Sequence, residues 1–306
     1  MLWGVLLMAV AALMLLRGTL PDGLGDIATR AWPALLVMIG LAFLLRGRVP
    51  LSDSLALVLS VALVGGVAFA AYSTRAAQQR DDQQLTISQE IDNAVTLLAV
   101  NVNTLNTDVE IISTPEDAII GGQFVGSTES DIQIDYIERD DGGAEFTLTE
   151  TQSEQFPMLD AVGRGTLRLE LPRDVAVVIA FRGEDGDATL NLSDLNVERL
   201  GFTLASGDAL ITFPEYEPRS PNALEEPGQL VVENGDIVLF VPETAAARLE
   251  LNRGSTRPEF DDSYVLIDDG ADGTLEKRTI NDDDIPLYYE VTAPRGVIEL
   301  QVRASE

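Results

Sequence analysis

The chain of 306 residues contains no cysteine and no histidine. These absences exclude disulfide staples, thiolate nucleophiles, imidazole general bases, Cys/His zinc sites and Ser-His-Asp triads, each of which needs a residue the chain lacks. Cations are scarce as well: 20 Lys and Arg stand against 50 Asp and Glu, a formal net charge of -30. Phosphate contacts need clustered cations, so this balance argues against a nucleic-acid partner. What remains is carboxylate chemistry, hydroxyls and binding.

The charge is not spread evenly. Residues 1–80 carry six Arg and three Asp, a net of +3, so the other 226 residues carry a net of -33. Two different solvents are implied. The early part holds three uncharged apolar runs, Leu2 to Leu16, Ala31 to Leu45 and Leu55 to Tyr72, each followed by Arg within a few residues. At about 1.5 Å per residue the third can cross a hydrocarbon core of about 30 Å, and the first two can with snorkelling flanks. Such flanks are present: Trp3 and Trp32, the only two Trp, sit at run starts, and Arg17, Arg46 and Arg48 sit just past run ends. Leu15-Leu16-Arg17 is not a small-residue cleavage site, which argues against a signal peptide. Three uncharged runs in 72 residues leave no polar face for water, which argues against soluble core helices. Ala62, Gly66 and Ala70 recur every four residues and offer a small face for self-association. The expectation is a multi-pass protein of the plasma (inner) membrane. The positive-inside count, Arg17, Arg30, Arg75 and Arg80 against Arg46 and Arg48, leans toward a cytoplasmic large domain but leaves its side open.

Residues 73–84 read as a polar linker or an extension of the third helix. From Leu85 the periodicity changes to alternation in short runs, among them Leu97 to Val102, Ile132 to Ile137, Phe146 to Leu148, Leu167 to Leu171 and Leu190 to Leu192. Alternation puts one face inward, so these are half-buried strands. A small or polar residue, then Asp, then an apolar residue recurs at Asp108, Asp131, Gly186-Asp187, Gly207-Asp208 and Gly235-Asp236, with Asp spacings of 23, 56, 21 and 28. Leu171-Pro172, Phe213-Pro214 and Val241-Pro242 close strands. Pro ends ladder pairing, while Gly-Asp supplies a turn with positive φ and a side chain that caps local N–H groups. A period near 21 to 23 is what a stacked β-solenoid-like sheet produces, and a β-sandwich is the competing architecture.

Asp261-Asp262, Asp268-Asp269, Asp272 and Asp282-Asp283-Asp284 make the last third the most acidic. Asp268, Asp269 and Asp272 are candidate metal ligands, yet Gly270 sits where an EF-hand needs its third ligand and Thr279 where it needs Glu. A glycosidase needs only two carboxylates, but no aromatic-rich sugar platform and no glycine-rich phosphate loop accompanies them. No cofactor and no catalytic residue is expected.

Ala31-Trp32-Pro33-Ala34-Leu35-Leu36-Val37-Met38-Ile39-Gly40-Leu41, ending in Leu44-Leu45-Arg46, resembles the second helix of the small transmembrane module in Lia-type envelope-stress regulators, and Gly4 to Arg17 resembles its first. Leu169-Glu170-Leu171-Pro172-Arg173-Asp174-Val175 to Ile179, followed by Gly186-Asp187-Ala188-Thr189-Leu190 and Gly207-Asp208-Ala209, resembles the "putative adhesin" or toast-rack domains that follow those helices. The resemblance implies a bacterial membrane protein with a single-sheet solenoid domain that acts by binding. The chain is thus expected to comprise a three-span module (1–72), a linker (73–84) and an acidic all-β solenoid-like domain (85–306). The expected function is non-enzymatic binding or scaffolding in envelope-stress sensing, with a surface adhesion module that binds glycan or a cation as the alternative. Expected partners are the lipid bilayer and another membrane or signalling protein.

Overall fold

The structure, a computed structural model, describes residue 66 and residues 72–114, 118–153, 162–214, 227–253, 258–268, 272–277 and 287–303. The membrane-segment expectations, including Trp3, Arg17, Trp32, Arg46, Arg48, Ala62 and Ala70, lie outside the described residues. Gly66 is helical, and nothing lies within 4 Å of where a Cβ would stand. Among the described residues no helix is long and apolar enough to cross a membrane.

The chain divides into two compact units, residues 1–78 with 156–163 and residues 79–155 with 164–306. In the first unit residues 72–76 are helical, and Arg75 Nη1 donates to Gln78 Oε1 at 2.8 Å. The second unit is all-β. Its strands are β1 (Gln83–Glu90), β2 (Leu97–Thr114), β3 (Ile119–Gly126), β4 (Ser130–Glu138), β5 (Gly143–Gln152), β6 (Gly165–Pro172), β7 (Ala176–Asp185), β8 (Ala188–Asn191) and β9 (Asn196–Ser206). They continue as β10 (Ala209–Thr212), β11 (Gly228–Val232), β12 (Ile237–Pro242), β13 (Ala247–Arg253), β14 (Glu259–Phe260), β15 (Tyr264–Asp268), β16 (Asp272–Lys277), β17 (Leu287–Ala293) and β18 (Ile298–Arg303).

These strands form one connected sheet with two faces. The first face runs β4-β5-β2-β7-β9-β11-β17-β13-β16-β15. The second runs β1-β3-β6-β2-β8-β10-β12-β18-β14. Strand β2 serves both, with Leu97 to Asn106 in the first face and Thr107 to Thr114 in the second. All central pairings are parallel, and antiparallel strands appear only toward the ends. That arrangement departs from the antiparallel sandwich, because each rung crosses at a corner from one face to the other and pairs with the same face of the next.

Alternation in the sequence becomes rows in the core. On the first face Leu148, Val102, Phe181, Phe202, Leu230, Val291 and Leu251 stand in register on successive strands. On the second, Leu169, Ile111, Leu190, Ile211, Leu239 and Leu300 do the same. All thirteen are at most 3% exposed. Phe181 and Phe202 stack with centroids 4.8 Å apart. Each such side chain contributes roughly 1.5–3 kcal/mol by leaving water, so the rows hold the two faces together.

Candidate binding surface

The Gly-Asp repeats assemble into one edge of the stack. At the corner where each rung changes face, Gly186, Gly207 and Gly235 have φ of 136°, 130° and 150°. A Cβ on Gly207 would stand 2.0 Å from Gly186 O, and one on Gly235 would stand 1.9 Å from Gly207 O. The Asp that follows each corner caps the next rung. Asp108 Oδ1 accepts from Asp187 N at 3.0 Å, Asp187 Oδ1 from Asp208 N at 3.0 Å, Asp208 Oδ1 from Asp236 N at 2.9 Å, and Asp236 Oδ1 from Val297 N at 2.8 Å. Arg164 starts the ladder, its Nη1 3.2 Å from Asp108 Oδ1 and its Nη2 2.8 Å from Asp185 Oδ1.

Asp131 is a correction. It lies inside β4 opposite Thr151, not at a corner. The turn comes earlier, where Ser130 N donates to Ser127 O at 3.1 Å, and the Ser130 hydroxyl is drawn inward to Glu150 Oε1 at 2.9 Å. Of the metal candidates, Asp268 ends β15, Asp272 begins β16, and Asp269 lies outside the described residues. Among the described residues no group of three or more acidic side chains is placed to hold a metal ion.

Two buried ionic groups escaped the sequence reading. Glu150, 2% exposed, accepts at Oε2 from Leu105 N (2.7 Å), Asn106 N (3.3 Å) and Thr107 Oγ1 (2.8 Å), where β2 bends between faces. Lys277, the chain's only lysine, is 4% exposed, and its Nζ donates to the carbonyls of Pro242 (2.9 Å), Glu243 (2.8 Å) and Ala245 (2.6 Å). The signal was parity. Glu150 follows Phe146 and Leu148, and Lys277 follows Leu275, on the inward side of their strands.

The outer side of the first face carries a concavity with a mixed polar and apolar lining. Its outward residues form rows: Ala99, Val178 and Arg199, then Asn101, Ala180, Gly201, Gln229, Glu290 and Glu250. An open trough of about 410 Å³ lies over Arg199, Gly201, Pro227 and Gln229. A Cβ on Gly201 would meet nothing closer than Ile179 O at 3.9 Å, so neither close approach nor positive φ requires glycine there; its effect is to keep the trough floor low. Among the described residues Arg199 has no ion-pair partner. Beyond Gln229 the row turns acidic. Glu250 accepts from the Tyr288 hydroxyl at 2.7 Å, a bond that raises the tyrosine's pKa, and the Arg248 guanidinium lies 5.5 Å from the Tyr288 ring centroid. The described lining thus combines two hydrogen-bonding side chains, Arg199 and Gln229, with Gly201 and Pro227, and the carboxylates of Glu290 and Glu250 follow Gln229 along the row.

No protein-family model matches this chain, and no curated protein matches it. Among solved structures, a Clostridium sporogenes protein described as a "putative cell adhesion protein" is 14% identical, with a TM-score of 0.58 over 72% of this chain and 100% of its own. A Bacteroides fragilis protein described as a "putative adhesin" is 10% identical over 73% of this chain and 99% of its own, with a TM-score of 0.24. At such identity the likeness to the Clostridium protein concerns the fold alone, and that all-β fold is one this chain shares.

Proposed function

We propose that this chain is a membrane-tethered, non-enzymatic binding module of adhesion type, a β-solenoid-like domain whose trough takes a hydroxyl-rich glycan. The observation that carries this is the lining of the trough. Sugar hydroxyls donate and accept at once; Arg199 and the amide of Gln229 meet them in the trough beside Gly201 and Pro227, and Glu290, the register partner of Gln229 on the next strand, is the nearest carboxylate along the row. A net charge of -30 opposes an anionic polymer at long range, so the favoured ligand is neutral. The described name of the Clostridium protein agrees with this reading. Envelope-stress sensing rests on the Trp32 to Gly40 resemblance, which lies outside the described residues.

Full-length protein in detergent micelles is expected to bind neutral oligosaccharides and to melt at a higher temperature in their presence, since a ligand of the folded state stabilises it. Arg199→Ala is expected to weaken binding by about tenfold, which corresponds to about 1.4 kcal/mol. Gly201→Val, which fills the floor, should reduce it at unchanged melting temperature. Binding that ignores both substitutions would remove the trough from the reading, and no binding across a glycan panel would remove the glycan. The reading also requires residues 85–306 to face outward, against the lean of the arginine count. External protease on intact cells is therefore expected to remove a C-terminal epitope, and protection until lysis would refute adhesion.

A further inference from the structure

Strand β9 carries one residue more than its ladder needs. Against β7 it pairs Val177 with Val197 and then Val178 with Arg199, so Glu198 has no residue opposite it. The two strands are parallel, an arrangement in which bulges are rare, and among the described residues no other parallel pairing shifts its register. Burial shows the result. Val197 and Leu200 are both buried, with two residues between them where alternation allows one, so Glu198 and Arg199 both stand off the inward side, Glu198 half-buried and Arg199 exposed.

The bulge lies at the trough. On its other flank β11 pairs with β9 only from Phe202 and Leu230 onward, and Pro227, which has no N–H for a ladder, lines the trough together with Arg199. Among the described residues neither Glu198 nor Arg199 has an ion-pair partner, not even in each other. Nothing in the described pairing uses the extra residue. Without it Val197, Arg199 and Leu200 would alternate strictly and Arg199 would still stand opposite Val178. A bulge that a central strand does not need, beside a concavity, serves to aim side chains.

A carboxylate presents two acceptor oxygens side by side, and a guanidinium presents only donors. Two adjacent sugar hydroxyls can both donate to such a carboxylate, while the cation next to it serves a neighbouring ring or glycosidic oxygen. We propose that Glu198 is a specificity-determining residue of the trough, set beside Arg199 by the bulge so that the pair reads a vicinal diol. This rests on the glycan reading and adds to it the feature of the sugar that is recognised. Neutral sugars with two free, mutually gauche hydroxyls on adjacent carbons fit; sugars substituted or deoxygenated at either carbon lose one of the two charge-assisted bonds.

The test uses full-length protein in detergent micelles, a panel of neutral oligosaccharides of glucose, mannose, galactose and N-acetylglucosamine, and, for those that bind, a series in which hydroxyls are replaced by hydrogen one at a time. In the parent chain, loss of either of two adjacent hydroxyls is expected to weaken binding about tenfold, the worth of one charge-assisted bond. In Glu198→Gln, which keeps the bulge, and in a chain with Glu198 deleted, that penalty is expected to disappear. The deletion chain is also expected to melt no lower than the parent, because its ladder is regular. Deoxygenation penalties that persist in both variants, with binding still lost in Arg199→Ala, would overturn the role of Glu198 and leave the trough in place. A deletion chain that melts well below the parent would make the extra residue structural and overturn the proposal as well. No binding by the parent chain to any sugar of the panel would remove the glycan reading itself, and this role with it.

Discussion

Gly235→Ala is expected to lower the unfolding free energy by at least about 3 kcal/mol. The new Cβ would stand 1.9 Å from Gly207 O and 2.6 Å from Gly207 C, at a φ of 150°. Relief by local motion is blocked, because Gly207 is itself stacked on Gly186, and a Cβ on Gly296 would stand 1.7 Å from Gly235 O. A shift at one corner must pass through the others. Asp208→Ala, one residue after a corner, removes one charge-assisted bond to Asp236 N and is expected to cost about 1–2 kcal/mol. Gly201→Ala is the control. Its Cβ would meet only Ile179 O at 3.9 Å, so alanine should be neutral or slightly stabilising. Urea midpoints of the three variants, at unchanged m-value, would rank them. If Gly235→Ala unfolds no more easily than Gly201→Ala, the corners are not interlocked as described.

That ranking shows what the sequence could and could not convey. Gly-Asp before an alternating run marks a corner because only glycine takes that backbone and only a short acid reaches the next rung. Asp187, Asp208 and Asp236 were therefore legible, and so was Asp108, where Thr107 takes the glycine's place. Ser130-Asp131 has the same look but belongs to a strand, since the buried Glu150 recruits the Ser130 hydroxyl. The fifth corner, Gly296-Val297, went unread because it has no Asp: it ends the ladder as a donor to Asp236 and offers no carboxylate onward. Parity carried more than was taken from it. An ionic residue at an inward position of a strand, as at Glu150 and Lys277, marks a buried charge with several partners. Rung order was out of reach, because alternation states which side of a strand is inward and is silent on which strand lies beside it. The insertion of β2 between the β5/β6 and β7/β8 rungs, and of β17/β18 between β11/β12 and β13/β14, is set by long-range pairing. The trough depends on the same pairing, since Arg199, Gly201 and Gln229 meet only when β9 and β11 are neighbours.

Lys277→Met is expected to destabilise the protein by about 3–5 kcal/mol, although methionine nearly matches the buried volume. The loss comes from the partners left behind. Three carbonyls, of Pro242, Glu243 and Ala245, converge on Nζ and would each lose a charged donor supplied by a side chain that is itself buried. These residues form the connection from β12 to β13, so the ammonium fixes where β13 begins and, with it, one of the two strands that flank β17. The pH dependence separates this role from simple packing. Burial lowers the pKa of Lys277 below the ordinary lysine value, while the carboxylates of Glu243 and Asp261 pull the other way. The folded state therefore releases this proton more readily than the unfolded chain does. In the window between the lowered and the ordinary value the unfolded state binds more protons, so this group's contribution to stability rises with pH. Denaturant titrations from neutral pH to about pH 10.5, the ordinary lysine range, should show a positive slope from this group in the parent chain that Lys277→Met lacks. Equal slopes with a large loss of stability would mean that the carbonyls are held by the ammonium's shape rather than its charge. A loss below about 1 kcal/mol would mean that the connection holds its course without it.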